Sequence, residues 1–457
     1  MKEMRKPLIL TALKKYADDN PVRFHMPGHK GSKEFATIFS EAQYDITELS
    51  FSGCLTSGEG VVAEAETAVA EILGAHRSHF VTDGSSISVL AMMYALSKRG
   101  KKVIIPRNSH KSVYNALKLF GLDPLFLECV QEDGVLHQRV ESAEKYLNDG
   151  DVCGLLIVSP DYFGQIPDLC LARDLTKKYG KILDVDGAHG GHLRFVQPED
   201  YAGAFADVWV DGLHKTMPCL TQASLLNVSD PSLEEDVAEG LSLFRTTSPS
   251  YPIMASIEYG VYFAESEGAE RFAAAFKGAE EIKATLTEQG YEIVIPRDRA
   301  KLLVDCEKSH VNCAALNAFL EERGIFCEFF DGRYLVLMLS AHTEIEHLER
   351  LARAMTEYRE KAGKTAYIAQ KQCICRVLPK RIIGYAEAES APCEWVSAWQ
   401  AVGRIAAESF GIFPPCYPIV VSGEEITEEA VQIIEENENV YGIKNGKLKV
   451  VKEKNER

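Results

Sequence analysis

Seven short apolar runs recur between residues 79 and 228, and stretches of helical periodicity separate most of them. The runs are "HFVT" (79–82), "KVIIP" (102–106), "LFLECV" (125–130), "GLLIVS" (154–159), "KILDV" (181–185), "DVWV" (207–210) and "ASLLNV" (223–228). Each is too short for a core helix and fits a buried strand. Segments between them, such as "SVYNALKLF" and "LARDLTKKYG", space their apolar residues three and four apart. Strands alternating with helices imply βαβ units and a mostly parallel sheet. In such a sheet ligands bind beyond the carboxyl ends of the strands. The residues directly after each run are therefore where chemistry is expected.

The rest of the chain adds smaller parts. The opening "LILTALKKYADDN" predicts an amphipathic helix, with no signal-peptide cleavage region. A long helical stretch covers roughly 251–289. A smaller α/β segment follows: "YEIVIP", "KLLVDC", a helix near 312–323, "CEFF", "YLVLML" and a helix near 344–361. Residues 365–394 read as irregular. The last part predicts a helix near 395–410, the strand "YPIVV", a helix near 427–436 and a hairpin turning at Asn445-Gly446. With 457 residues, more than one domain is expected. The boundaries read as an N-terminal segment (1–50), a large domain (51–265), a small α/β domain (266–365) and a C-terminal α+β domain (366–457).

Charge and cysteine usage exclude several classes. A formal net charge of -17 argues against a nucleic-acid surface, which needs a basic patch. No apolar stretch is long enough to span a bilayer. The twelve cysteines mostly sit in apolar runs, and Cys373 and Cys375 have no second half to complete a metal site. Reduced thiols, a cytoplasmic location and no bound metal are the expectation.

Four strand ends carry unusual residues. After "HFVT" come Gly84, Ser85 and Ser86 at a helix start, where unpaired amides, hydroxyls and the helix dipole suit a phosphate. After "KVIIP" comes His110, after "KILDV" come Asp186 and His189, and after "DVWV" comes His214-Lys215. Singly, each has an ordinary reading: an N-cap, a solvated histidine, a turn aspartate, a surface lysine. Together they match the needs of pyridoxal 5′-phosphate: a phosphate cradle, an acid for the pyridine nitrogen, a flat group against the ring and a lysine for the Schiff base.

The chain also resembles the Orn/Lys/Arg decarboxylase family, in its short form without an N-terminal receiver-like domain. "FHMPGHKGS" (24–32), "TDGSSISVL", "PRNSHKSVYNAL", "DVDGAHGGHLRF", "DGLHKTMPCLTQASLL", "TTSPSYPIMASIE" and "AVGRIAAESFGIFPPCYPIVVSGEEI" occur in the family's order and spacing. The resemblance implies a fold-type-I, aspartate-aminotransferase-like large domain with a seven-stranded sheet. It implies Lys215 as the Schiff-base lysine, Asp186 as the pyridinium partner, and His110 as a ring-stacking residue that helps protonate the substrate carbon. Ser85 and Ser86 become phosphate ligands with Gly84 and His214 close by, and Ala188 and His189 flank the ring. The chain departs from the pattern at Asp83, Val89, Gly212, Leu213 and Cys416. The family commonly has a serine and a threonine where Gly212 and Leu213 stand, so one phosphate-binding hydroxyl is missing.

The activity so implied is decarboxylation of a basic amino acid (arginine, lysine or ornithine) to the corresponding di- or polyamine precursor. The partner expected is another copy of the chain, as a homodimer or higher homo-oligomer, with "TTSPSY" (246–251) reaching toward the neighbour. Glu424 and Glu425 stand as candidates for meeting a cationic side chain, against the plainer reading of a helix cap and first turn. The same cofactor roles serve an aminotransferase or a β-eliminating lyase, and the altered segments also fit a catalytically idle paralogue acting as a binding subunit.

Overall fold

Burial explains why the apolar runs become strands. The central strand Val152–Val158 is buried at every residue, as a strand covered on both faces must be. In this computed structural model, which describes residues 3–362, 378–412, 418–437 and 439–452, six of the runs and the start of "LFLECV" form one seven-stranded sheet, while the rest of that run belongs to Glu128–Glu132, which pairs antiparallel with Val135–Arg139 in a separate two-stranded sheet. Its strands are β1 (Arg77–Val81), β2 (Lys102–Ile105), β3 (Asp123–Phe126), β4 (Val152–Val158), β5 (Ile182–Gly187), β6 (Val208–Asp211) and β7 (Ser224–Val228). The order across the sheet is β1-β7-β6-β5-β4-β2-β3. The pairs β2–β3, β2–β4 and β5–β6 are parallel, while β7 runs antiparallel to both β1 and β6. The fold class expected from the sequence is the one observed.

Two compact units make up the chain. The first comprises residues 1–95, 183–276 and 339–343. Its helix α1 (Leu8–Asp18) begins after Pro7, which supplies no side-chain cap. Glu258, from the helix Tyr251–Phe263, does so instead: its carboxylate accepts the Leu8 and Ile9 amides at 2.6 and 2.8 Å. Two further helices matter here, α2 (Gly60–Leu73) and α3 (Ser85–Ser97), the latter opening directly beyond β1.

The second unit comprises residues 96–182, 277–338 and 344–457. It contains α4 (Lys111–Phe120) and a four-stranded sheet of Glu292–Val294, Lys301–Asp305, Tyr334–Met338 and Phe329–Phe330, in that spatial order. Its C-terminal lobe packs Phe410, Ile419, Val420, Ile426, Val431, Ile434, Leu448 and Val450 into a core of its own.

The lobe corrects two expectations. No long helix forms near 395–410: Cys393–Ser397 is a strand paired antiparallel with Lys447–Val451, and Phe410–Ile412 is another. Pairing with a segment fifty residues away overrides the local helical pattern. Tyr385–Ser390 is a helix rather than irregular chain. The turn at Asn445-Gly446 is present, with φ of 52° and 70°, and Lys444 and Lys447 pair antiparallel across it; beyond that bridge its arms pair with different strands. Among the described cysteines no disulfide forms, although Cys170 is exposed rather than buried. Cys373, Cys375 and Cys416 lie outside the described residues. Among the described residues no helix is long and apolar enough to cross a membrane.

Candidate active site

In the first unit, three strand ends converge on one glycine. Beyond β1, Gly84 takes a left-handed φ of +83° and donates its amide to the Gln222 carbonyl at 3.0 Å. That turn aims the start of α3, and Ser85 is its first residue. The Ser85 hydroxyl oxygen is buried and has no hydrogen-bond partner among the described residues. Beyond β6 stands Gly212. A Cβ built on Gly212 would lie 2.7 Å from the Ser85 Oγ and 2.5 Å from the carbonyl oxygen of Ala188, which follows β5. The glycine's own φ is an ordinary −88°, so the demand is for space and not for backbone freedom. A serine at this position has no room. The Ala188 carbonyl at the β5 end occupies the space that a side chain at position 212 would need.

Lys215 closes the 3₁₀ turn Leu213–Lys215 directly after β6. Its Nζ stands 3.0 Å from Nε2 of His189, a buried residue on the loop after β5. An ammonium can only donate, so His189 accepts through Nε2 and carries its own proton on Nδ1. Neighbouring His214 donates Nδ1–H to the Ala223 carbonyl at 2.9 Å. Burial lowers the pKa of His214, and the charge of Lys215 lowers it further, which favours the neutral ring.

Asp186 lies within β5 and is 4% exposed; its Oδ1 accepts the Ala188 amide at 3.2 Å. A second buried carboxylate, Asp211, escaped the sequence reading. The register pairs Asp186 with Val210 and Gly187 with Asp211, so the two aspartates project from opposite faces of the sheet. Asp211 Oδ2 accepts from Tyr201 Oη at 2.9 Å, Trp209 Nε1 at 3.1 Å and Asn227 Nδ2 at 2.9 Å. Burial outweighs those three donors and pushes Asp211 up to about 7. "DVWVD" alternates plainly as a strand, but the partners Tyr201 and Asn227 could not be assigned from it.

Three further departures, Asp83, Val89 and Leu213, lie in the same unit, while Cys416 lies outside the described residues. Val89 is buried within α3 and Leu213 is buried beside Gly212, so both are packing residues. Asp83 has one buried oxygen with no hydrogen-bond partner among the described residues. Arg245 donates to the Phe80 carbonyl at 3.1 Å; burial lowers its pKa, with the charges of Glu66 and then Asp83 opposing that. Of "TTSPSY", Ser250 caps a helix and Tyr251 donates to the Gly53 carbonyl of its own chain at 2.6 Å.

In the second unit, His110 is the N-cap of α4. Its Nδ1 lies 3.2 Å from the Ser112 amide and 2.8 Å from the Ser112 hydroxyl. A backbone amide can only donate, so Nδ1 is unprotonated and the ring proton of the neutral form sits on Nε2. Glu424 is neither a cap nor a first-turn residue: Thr427 caps the helix that begins at Glu428. Glu424 is 3% exposed and forms a bidentate pair with Arg107, with one oxygen 2.8 Å from Nη2. Its charge is met, so it is not free to receive a substrate's cation. Asp161, also absent from the sequence reading, accepts the Phe163 and Gln165 amides at 2.9 and 2.8 Å, and burial raises it to about 7.

The first unit thus offers what a phosphorylated aldehyde needs. An unpartnered buried hydroxyl at a helix start forms a cradle that a Cβ at Gly212 would fill, and a primary amine and a buried carboxylate stand on the neighbouring strand ends.

Comparison with known proteins agrees with that chemistry. The family model described as Orn/Lys/Arg decarboxylase, major domain, matches residues 6–307. An arginine decarboxylase of Bacillus subtilis (strain 168) is 30% identical over 455 residues, covering 94% of this chain and 93% of the relative. Among solved structures, the lysine decarboxylase of Francisella novicida superposes with a TM-score of 0.80 at 18% identity, over 98% of this chain and 81% of that one. A serine palmitoyltransferase of Sphingomonas wittichii gives a TM-score of 0.57 at 18% identity, over 79% of this chain and 85% of that one.

Proposed function

Because the chain belongs to the Orn/Lys/Arg decarboxylase family, we propose that it releases the α-carboxylate of arginine, lysine or ornithine as CO₂ and yields the corresponding amine. It is a pyridoxal-phosphate-dependent amino-acid decarboxylase. The observation that carries the reading is the juxtaposition of Lys215 Nζ and His189 Nε2 at 3.0 Å beyond the ends of β6 and β5, beside the Gly212 cradle with its unpartnered Ser85 hydroxyl.

Pyridoxal phosphate, when bound, supplies a ring that accepts the electron pair left behind as CO₂ departs. The chain's own residues do the rest. Lys215 would hold the cofactor through Nζ. Asp186 would favour a positive charge on the ring nitrogen by a charge-assisted hydrogen bond. Gly84, Ser85 and Ser86 offer an amide, hydroxyls and a helix start to the phosphate, with the neutral His214 nearby. Ala188 and His189 would flank the ring. His189 Nε2 also accepts a hydrogen bond from Lys215 Nζ and so orients it. On the family resemblance, His110 would help hold the ring, and its Nε2–H or Lys215 would supply the proton that replaces the carboxylate.

Basic specificity rests on the relatives' activities, since Glu424 is occupied by Arg107. A homodimer, as the working assembly, is supported by the N-terminal segment. Val22, Phe24, Met26, Ile38 and Phe39 are all more than half exposed, an apolar display that a second copy would cover. The test is product analysis: purified enzyme with cofactor is incubated with each basic, acidic and aromatic amino acid. CO₂ and an amine from a basic substrate are expected. Keto-acid formation without CO₂, or faster decarboxylation of an acidic or aromatic substrate, overturns the assignment.

A further inference from the structure

Helix α4 begins with His110 and is held by the C-terminal lobe along its length. Just before it, Arg107, itself only 2% exposed, makes its bidentate pair with Glu424 and donates Nη2–H to the Ile419 carbonyl at 2.9 Å. Glu424 is fixed in turn: its Oε2 accepts the Val421 amide at 2.8 Å. In the first turn, the Lys111 ammonium sits 5.0 Å from the centre of the Tyr441 ring. Mid-helix, the Tyr385 hydroxyl donates to the Tyr114 carbonyl at 3.1 Å. Near the end, Lys118 pairs with Glu389 at 2.7 Å.

We propose that Arg107 and Glu424 are positioning residues, through which the C-terminal lobe sets where the imidazole of His110 stands. This rests on the role given to His110 above. Arg107 and His110 are three residues apart, and little slack lies between them. The Arg107 carbonyl accepts the Tyr114 hydroxyl at 2.8 Å. Ser109 closes a turn onto Pro106, with its amide 3.2 Å and its hydroxyl 2.7 Å from the Pro106 carbonyl. The backbone from 106 to 110 is therefore a stiff piece, gripped by its own helix on one side and by Glu424 on the other. A shift of the guanidinium is carried to the N-cap.

The choice of residues fits positioning better than stability. A buried ion pair is often no more stabilising than a hydrophobic pair of similar volume. What a bidentate guanidinium–carboxylate pair adds is a fixed angle as well as a fixed distance. Such precision matters where a proton donor must meet a carbon, since a displacement of about 1 Å can cost roughly a hundredfold in rate.

The experiment compares wild type, Glu424→Gln, Glu424→Asp and, as a control on simple destabilisation, Lys118→Met, which removes a half-exposed lobe contact near the far end of α4. Two readouts are taken on each: steady-state decarboxylation, and the ¹⁵N shifts and titration midpoint of His110 in histidine-labelled protein, assigned with His110→Gln. For Glu424→Gln we expect kcat to fall between roughly tenfold and a hundredfold with KM changed far less, together with displaced His110 resonances. Glu424→Asp should recover part of both, and it also serves if Glu424→Gln fails to fold. Lys118→Met should lower the melting temperature and leave the His110 resonances in place. Unmoved His110 signals in folded Glu424 variants overturn the proposal, as does an equal displacement in Lys118→Met. A wild type that releases no CO₂ would overturn the function while the resonance comparison still decides the positioning.

Discussion

Restoring the family's serine at position 212 should damage this enzyme, although on paper it returns a phosphate-binding hydroxyl. A Cβ at Gly212 falls 2.5 Å from the Ala188 carbonyl oxygen and 2.7 Å from Ser85 Oγ. Both are well inside van der Waals contact, and the first is backbone, which cannot rotate away. Forced overpacking of this kind costs roughly 1–3 kcal/mol. The strain falls on two elements of the proposed cofactor site at once. If Ser85 Oγ is turned out of the cradle, the loss of one hydrogen bond to a charged group is worth roughly 1.5–3 kcal/mol, or about ten- to a hundredfold in Kd. Gly212→Ser is therefore expected to lower the urea midpoint of the cofactor-free protein and to weaken pyridoxal phosphate binding, followed by absorbance titration. Gly212→Ala should behave the same way, since the clash belongs to Cβ. Unchanged stability with tighter cofactor binding in Gly212→Ser would refute the steric account and show that the glycine is simply a lost ligand.

Two further predictions concern the aspartates on opposite faces of the sheet. Asp186→Asn should keep the melting curve close to wild type and reduce kcat by orders of magnitude, because a neutral amide does not hold the ring nitrogen's charge; an unchanged rate removes Asp186 from the mechanism. Asp211 is raised in the folded state to about 7, against an ordinary value near 3.8. Between those values the folded state binds the extra proton, so stability falls as pH rises from about 4 to 7 and is level above. Asp211→Asn should reduce that slope in pH-dependent urea melts, leaving the shares contributed by other buried carboxyls raised likewise, Asp161 and Asp331 among them; an identical slope in the variant would show that Asp211 does not titrate there.

What the sequence disclosed was local, and what it concealed was distant. Six strands of the main sheet lie on apolar runs that can be picked out by eye, the seventh (Asp123–Phe126) overlaps the start of its run only, and Lys215, Asp186 and Ser85 stand shortly after three of those runs. Strand ends and helix starts are set by neighbouring residues, so the positions of the candidate site residues could be picked out before the fold. The pair Arg107–Glu424 was not, because 317 positions separate its members. The helix expected near 395–410 failed for the same reason, since Cys393–Ser397 answers to Lys447–Val451 and not to its own periodicity. Gly212 could be noticed as a departure from the family pattern, but its cause lies in the Ala188 carbonyl, on another strand's end.

Lys215 is the point on which the account turns, and trapping the bound cofactor tests it most directly. Holoenzyme is reduced with borohydride, which fixes any lysine–cofactor linkage, then digested and sequenced by mass spectrometry. The pyridoxyl group is predicted on Lys215 alone, and it should be missing after the same treatment of Lys215→Ala. A label on another lysine, or none on a wild type that decarboxylates its substrate, would contradict the account.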